Sequence, residues 1–126
     1  MILQGKTILL VEDDPLISRM LELRLHEEGA QVLLAFNGVE GLEKLHANTV
    51  QVAILDVMMP KMNGFEMIKR MKADPTTRDV PIIVFTNLND RPDEIEKIKQ
   101  AGVKDYIVKA DIKLAEVVKR VAAAME

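Results

Sequence analysis

The chain contains no cysteine. Disulfides and thiolate metal sites are thereby excluded, and the composition fits a reducing compartment such as the cytoplasm. No apolar run approaches the ~18 residues that suggest a membrane span. Met1-Ile2-Leu3-Gln4-Gly5-Lys6 has neither the basic start nor the long apolar centre of a signal peptide. Positive charge is not in excess: 17 Lys and Arg stand against 20 Asp and Glu, a formal net charge of −3. That balance argues against nucleic acid as the main partner. Linkers and low-complexity stretches are also missing. What remains is 126 residues, one domain by size, and 48% of them are hydrophobic, enough for a single core.

The stretch Val52-Ala53-Ile54-Leu55-Asp56-Val57-Met58-Met59-Pro60 organises the rest. Four apolar residues run into a carboxylate, and a proline follows. Such a run reads as a strand buried on both faces. Thr7–Val11, Gln31–Phe36, Ile82–Thr86 and Asp105–Val108 read as four more strands. Helices are expected between them. Asp13 or Asp14 caps the first, with Pro15 in its opening turn. Leu16, Ile17, Met20, Leu21 and Leu23 form its inward arc, opposite Ser18, Arg19 and Glu22, and Gly29 stops it after a last turn that frays outward. Asn37 and Glu40, then Asn63 and Glu66, have capping-box spacing. Val39, Leu42 and Leu45 form the stripe of the second helix, and Phe65, Ile68 and Met71 that of the third. A fourth helix, opened by Asp90-Arg91-Pro92, carries only Ile95, Ile98 and Ala101, so it is weakly held. The last helix, capped by Asp111, buries Leu114, Val117, Val118 and Val121. Five strand–helix repeats imply an α/β fold: a parallel sheet with helices on both faces and right-handed crossovers.

In such sheets ligands bind at the rim formed by the strand C-termini. Glu12, Asp13 and Asp14 leave the first strand there, Asp56 the third, Thr86 the fourth and Lys109 the fifth. Each alone reads blandly, as a cap, a strand residue or a surface charge. Together they put carboxylates, a hydroxyl and an ammonium on one edge. Crowded carboxylates repel unless a cation sits among them. Oxygen-only donors suit Mg²⁺, held by Asp13 and Asp56. Lys109 adds a point charge and Thr86 a donor for a phosphoryl oxygen. Phosphoryl transfer needs chiefly positioning and charge stabilisation. Asp56 is therefore the candidate nucleophile that takes up a phosphoryl group. His26 and His46 lie on helices away from the rim and are given no part in it.

The chain resembles the receiver domain of bacterial two-component response regulators in its single-domain, chemotaxis-regulator-like form. The likeness runs from about Lys6 to Val121. It rests on Ile8-Leu9-Leu10-Val11-Glu12-Asp13-Asp14, on Leu55-Asp56-Val57-Met58-Met59-Pro60 with Asn63-Gly64, on Thr86, and on Tyr106 with Lys109. The resemblance implies a flavodoxin-like, doubly wound five-stranded sheet of order 2-1-3-4-5 with five helices. It implies that Asp56 accepts phosphate from a histidine kinase or phosphotransfer protein. Mg²⁺ would be held by Asp13, Asp56 and the backbone carbonyl of Met58, with Glu12 acting through water. Thr86 and Tyr106 would be the switch pair. The fourth helix, fifth strand and last helix would form the output face, addressing an unidentified protein target rather than nucleic acid or membrane. No fused output domain is expected within this chain.

Two positions depart from that family's pattern. Ala110 stands where a proline usually follows the lysine, so the Lys109–Ala110 bond is expected trans. Asn87 stands where a small residue usually follows the threonine, with consequences for phosphoryl lifetime rather than for phosphorylation. Met58, apolar at the site, is expected to slow hydrolysis. An aspartate-nucleophile phosphatase is the competing enzyme reading, but it wants an acid two positions after the nucleophile, where Met58 stands. A pure interaction module is disfavoured by the intact set of Asp13, Asp56, Thr86 and Lys109. A flavin site is disfavoured by the acidic loop after the first strand.

Overall fold

Five short apolar runs become five parallel strands, and the helices between them cover both faces of the sheet. The computed structural model describes residues 1–58, 62–87, 92–111 and 113–126. In chain order the elements are β1 (Thr7–Val11), α1 (Pro15–Glu27), β2 (Gln31–Ala35), α2 (Gly38–Ala47), β3 (Val52–Leu55), α3 (Gly64–Ala73), β4 (Ile82–Thr86), α4 (Pro92–Gln100), β5 (Asp105–Val108) and α5 (Leu114–Ala124). The sheet runs β2-β1-β3-β4-β5, the doubly wound, flavodoxin-like order. Met59, Pro60, Asp90 and Arg91, which figure in the sequence motifs, lie outside the described residues.

Alternation along each strand splits the core in two, because successive side chains point to opposite faces. Ile8, Leu10, Ile54, Ile83, Phe85 and Ile107 meet Leu21 and Leu25 of α1 and Val117, Val118 and Val121 of α5. Leu9, Val11, Ala53, Leu55 and Val84 meet Leu45, Met67, Ile68, Met71 and Ile98 from α2, α3 and α4. The core reaches beyond the span of the family likeness at both ends. Leu3 is fully buried, and its N–H donates to Glu28 O at 2.9 Å. Ala124 is buried at the other end.

The caps behave as their spacing predicts. Asp14 Oδ1 accepts from Leu16 N at 2.9 Å and from Ile17 N at 3.3 Å. Asn37 Oδ1 and Asn63 Oδ1 each accept an N–H three residues on, from Glu40 and Glu66, both at 3.0 Å. Gly29 ends α1 with φ +97°, a backbone that only glycine adopts without strain.

Five expectations need correction. The inward arc of α1 is rotated: Leu16 is 75% exposed and Met20 and Leu23 are close to half exposed, whereas Ser18, Leu21 and Leu25 are buried. The helix packs against both the sheet and α5, so the face it buries is set by two neighbours rather than by hydropathy alone. For the same reason its last turn does not fray outward, since Leu25 is fully buried. Val39 is exposed; α2 buries Leu45 as expected, with Gly38 and Gly41 beside it. β2 ends at Ala35, leaving Phe36 outside and exposed. Finally, α5 starts at Leu114 with Lys113 at its cap and no side-chain cap bond, whereas Asp111 closes a 3₁₀ turn over Lys109–Asp111.

Candidate functional site

The register brings the rim together. Val11 of β1 pairs with Leu55 of β3, so Glu12 and Asp56, the next residues, leave the sheet side by side. Both are held by continued ladder bonds: Glu12 N donates to Ala35 O at 3.0 Å, and Asp56 N to Val11 O at 3.1 Å. Leu55 pairs with Val84, and Thr86, two residues on, pairs with Val108. Lys109 follows Val108 directly. Thus three neighbouring strand ends and the fifth converge on one edge.

On that edge a carboxylate oxygen from each of Glu12, Asp13 and Asp56 lies within 4.8 Å of the others. Glu12 and Asp56 are buried and Asp13 is exposed. The ammonium of Lys109 spans the two buried acids. Its Nζ is 2.7 Å from Asp56 Oδ2 and also contacts Glu12 Oε1. It sits 5.8 Å from the centre of the Phe85 ring as well, within reach of a cation–π attraction. Asp56 Oδ1 accepts the Met58 N–H at 3.0 Å. Both oxygens of the candidate nucleophile therefore have fixed donors.

Charge in this pocket is tightly balanced. Burial pushes the Glu12 carboxyl up to about 7, against the opposing pull of its bond to Lys109. Burial alone would lower Lys109, but its hydrogen bonds and charge attraction to Asp56 and Glu12 outweigh it and hold the ammonium above its ordinary value. A small oxygen-seeking cation fits the donor set, because three acids compete there for one ammonium.

Thr86, the last residue of β4, is fully buried, and its hydroxyl has no hydrogen-bond partner among the described residues. Such a group is costly to bury and stands ready for an acceptor. Tyr106 pairs with Val84 one strand over and packs half-buried against the α2–α3–α4 side, its hydroxyl oxygen buried. Met58 is half exposed beside the site. His26 is exposed, and His46 pairs with Asp74 at 2.8 Å; neither belongs to the cluster. Asp14 serves as a helix cap rather than joining the acid group.

Gly64 opens α3 directly against the phosphoryl-candidate strand end. A Cβ there would lie 2.5 Å from Asp56 O and from Val57 Cα. The Lys109–Ala110 bond is trans, there being no cis bond among the described residues. One contact was not foreseen from sequence: Ala110 N donates to Asn87 Oδ1 at 3.2 Å, joining the two positions that depart from the family pattern. Its available signal was that alanine, unlike proline, brings an N–H needing an acceptor.

Comparison with known proteins identifies the family and the fold. A family model of the response regulator receiver domain matches residues 8–122, and the chain belongs to that family. Response regulator ArlR of Staphylococcus saprophyticus is 38% identical over 102 residues, 81% of this chain and 44% of that protein. The chain spans about half the length, or less, of these curated relatives. The receiver domain of a signal transduction histidine kinase from Syntrophus aciditrophicus superposes with TM-score 0.87 at 30% identity, covering 96% of this chain and 90% of that one. The receiver domain of sensor histidine kinase PA1611 from Pseudomonas aeruginosa, solved with magnesium coordinated in its active site cleft, gives TM-score 0.86 at 29% identity, covering 96% and 98%. The protein is a receiver domain of the two-component kind. No helix among the described residues is long and apolar enough to cross a membrane.

Proposed function

We propose that Asp56 is the phosphoryl acceptor of this receiver domain and that Glu12, Asp13, Lys109, Thr86 and Tyr106 serve it. One observation carries the reading: carboxylates from two separate strand ends meet around a single ammonium that is bonded to Asp56. Asp13, Asp56 and the Met58 carbonyl, with Glu12 through water, would hold Mg²⁺, which would supply the positive charge that lets one anion approach another. The magnesium in the related kinase receiver domain supports that choice of ion.

The chain's own groups do the rest. An Asp56 oxygen attacks phosphorus, forming an acyl phosphate as the bond to the donor nitrogen or oxygen breaks. Lys109 stays against the acceptor and meets the added charge. The Thr86 hydroxyl, buried without a partner among the described residues, turns to a phosphoryl oxygen. Tyr106, on the neighbouring strand, follows the space that Thr86 vacates. Partners then read the altered face of α4, β5 and α5. The donor is a histidine kinase or phosphotransfer protein, consistent with receiver domains built into kinases among the structural relatives. The chain modifies itself and turns over no other substrate, and it works in the cytoplasm.

Incubation with acetyl phosphate and Mg²⁺, read by intact mass, tests this. The expected result is one phosphate adduct, absent in Asp56→Asn. Steady turnover of phosphate esters would favour the phosphatase instead. No adduct and no Mg²⁺ binding would favour a pure interaction module. Replacing Met58→Asn and timing adduct loss tests the shielding role of Met58; an unchanged rate refutes it.

A further inference from the structure

We infer that Asn87 is a positioning residue: its side chain clasps the exit of β4 to the exit of β5 and so sets Lys109 against Asp56. The inference rests on the reading of Asp56 as acceptor, and it adds a residue that reading does not use.

Lys109, Ala110 and Asp111 form a single 3₁₀ turn directly after β5. The first N–H groups of such a turn have no partner inside it. The Ala110 N–H finds one outside, in Asn87 Oδ1, 23 residues earlier in the chain and 3.2 Å away. Asn87 thus caps this turn from just beyond the end of β4.

The connection it makes is specific. Asn87 immediately follows Thr86, whose hydroxyl is buried and has no hydrogen-bond partner among the described residues. Ala110 immediately follows Lys109, whose ammonium is 2.7 Å from Asp56 Oδ2. One hydrogen bond therefore ties the residue after Thr86 to the residue after Lys109. Lysine carries its charge on a flexible four-carbon stem, so its aim depends on how firmly its backbone is held. A shift of the chain at Thr86 toward Asp56 that moves its backbone would either stretch this bond or carry the Lys109 turn with it. The two side positions also depend on each other. A proline at 110 would have no N–H to give, and a residue without an acceptor at 87 would leave that N–H to water.

Two measurements on the full chain test the clasp. The first is hydrogen exchange at the Ala110 amide, followed by NMR without phosphodonor. Exchange is expected to speed up in Asn87→Ala and to stay slow in Asn87→Asp, which keeps the acceptor oxygen. The second is phosphorylation by acetyl phosphate with Mg²⁺. Losing one hydrogen bond that holds Lys109 should raise the half-saturating acetyl phosphate about threefold to tenfold, with a smaller change in maximal rate. Ala110→Pro, which removes the donor, should match Asn87→Ala, and the double variant should be no worse than either. Ala110 exchange that ignores Asn87→Ala, or single effects that multiply in the double variant, would overturn the inference. If the unaltered chain takes no phosphoryl group, the acceptor reading fails, and the exchange measurement still decides the clasp.

Discussion

Glu12 makes the sharpest prediction, because its environment opposes its own charge. It is almost fully buried, and its carboxyl is raised from 4.5 to about 7, chiefly by loss of water. The ionised form is thus the costly one in the folded chain. Its contribution to stability is complete below about pH 4.5 and is lost as pH rises through about 7. A shift from 4.5 to about 7 corresponds to roughly 3 kcal/mol at high pH, of which about 2.5 kcal/mol develops between pH 5 and pH 8. Glu12→Gln keeps the shape and removes the titration. In urea unfolding with a metal chelator present, the variant should gain about 2.5 kcal/mol on the parent across that pH range. Lys109 is shifted upward and Asp74 lies near 2, so neither titrates in this window. Saturating Mg²⁺ should narrow the gap, because a cation among the acids favours the ionised form. Two pH–stability curves that run parallel in chelator would refute the account of Glu12.

Three further variants probe the frame around the site. Gly64→Ala would place a Cβ 2.5 Å from backbone atoms of Asp56 and Val57, which cannot swing aside; a loss of about 1–3 kcal/mol in urea unfolding is expected, and an unchanged midpoint contradicts the close approach. Thr86→Val replaces a buried, unbonded hydroxyl with a methyl of like shape; a gain of about 1 kcal/mol is expected together with a weakened response to phosphorylation, and a loss of stability would reveal a partner for the hydroxyl. Leu3→Ala empties a fully buried site contributed by the N-terminal segment; a cost of about 2–5 kcal/mol is expected from the melting curve, and a cost near zero would mean that this segment is not docked.

Much of the fold was legible because its signals are local. An unbroken apolar run followed by an acid needs no distant information to read as a strand end. Asn37 with Glu40 and Asn63 with Glu66 cap helices through bonds between residues three apart. The orientation of α1 was not legible in the same way. Leu16, Met20 and Leu23 are as apolar as the residues that are buried, and helical spacing alone offers more than one arc. Ser18 was passed over because its burial comes from close packing rather than from hydropathy. Leu3 was missed because a single leucine in a short segment carries no period.

The sequence by itself determined which chemistry is present: acids after β1 and β3, a hydroxyl at the end of β4, an ammonium after β5. Only the tertiary structure decided how those groups act on one another. Lys109 and Asp56 are 53 residues apart and meet at 2.7 Å because parallel register aligns their strands. The raised Glu12 carboxyl and the Asn87–Ala110 bond arise in the same way. Charge energies depend on separation and on exclusion of water, and neither quantity exists until distant strands are laid side by side.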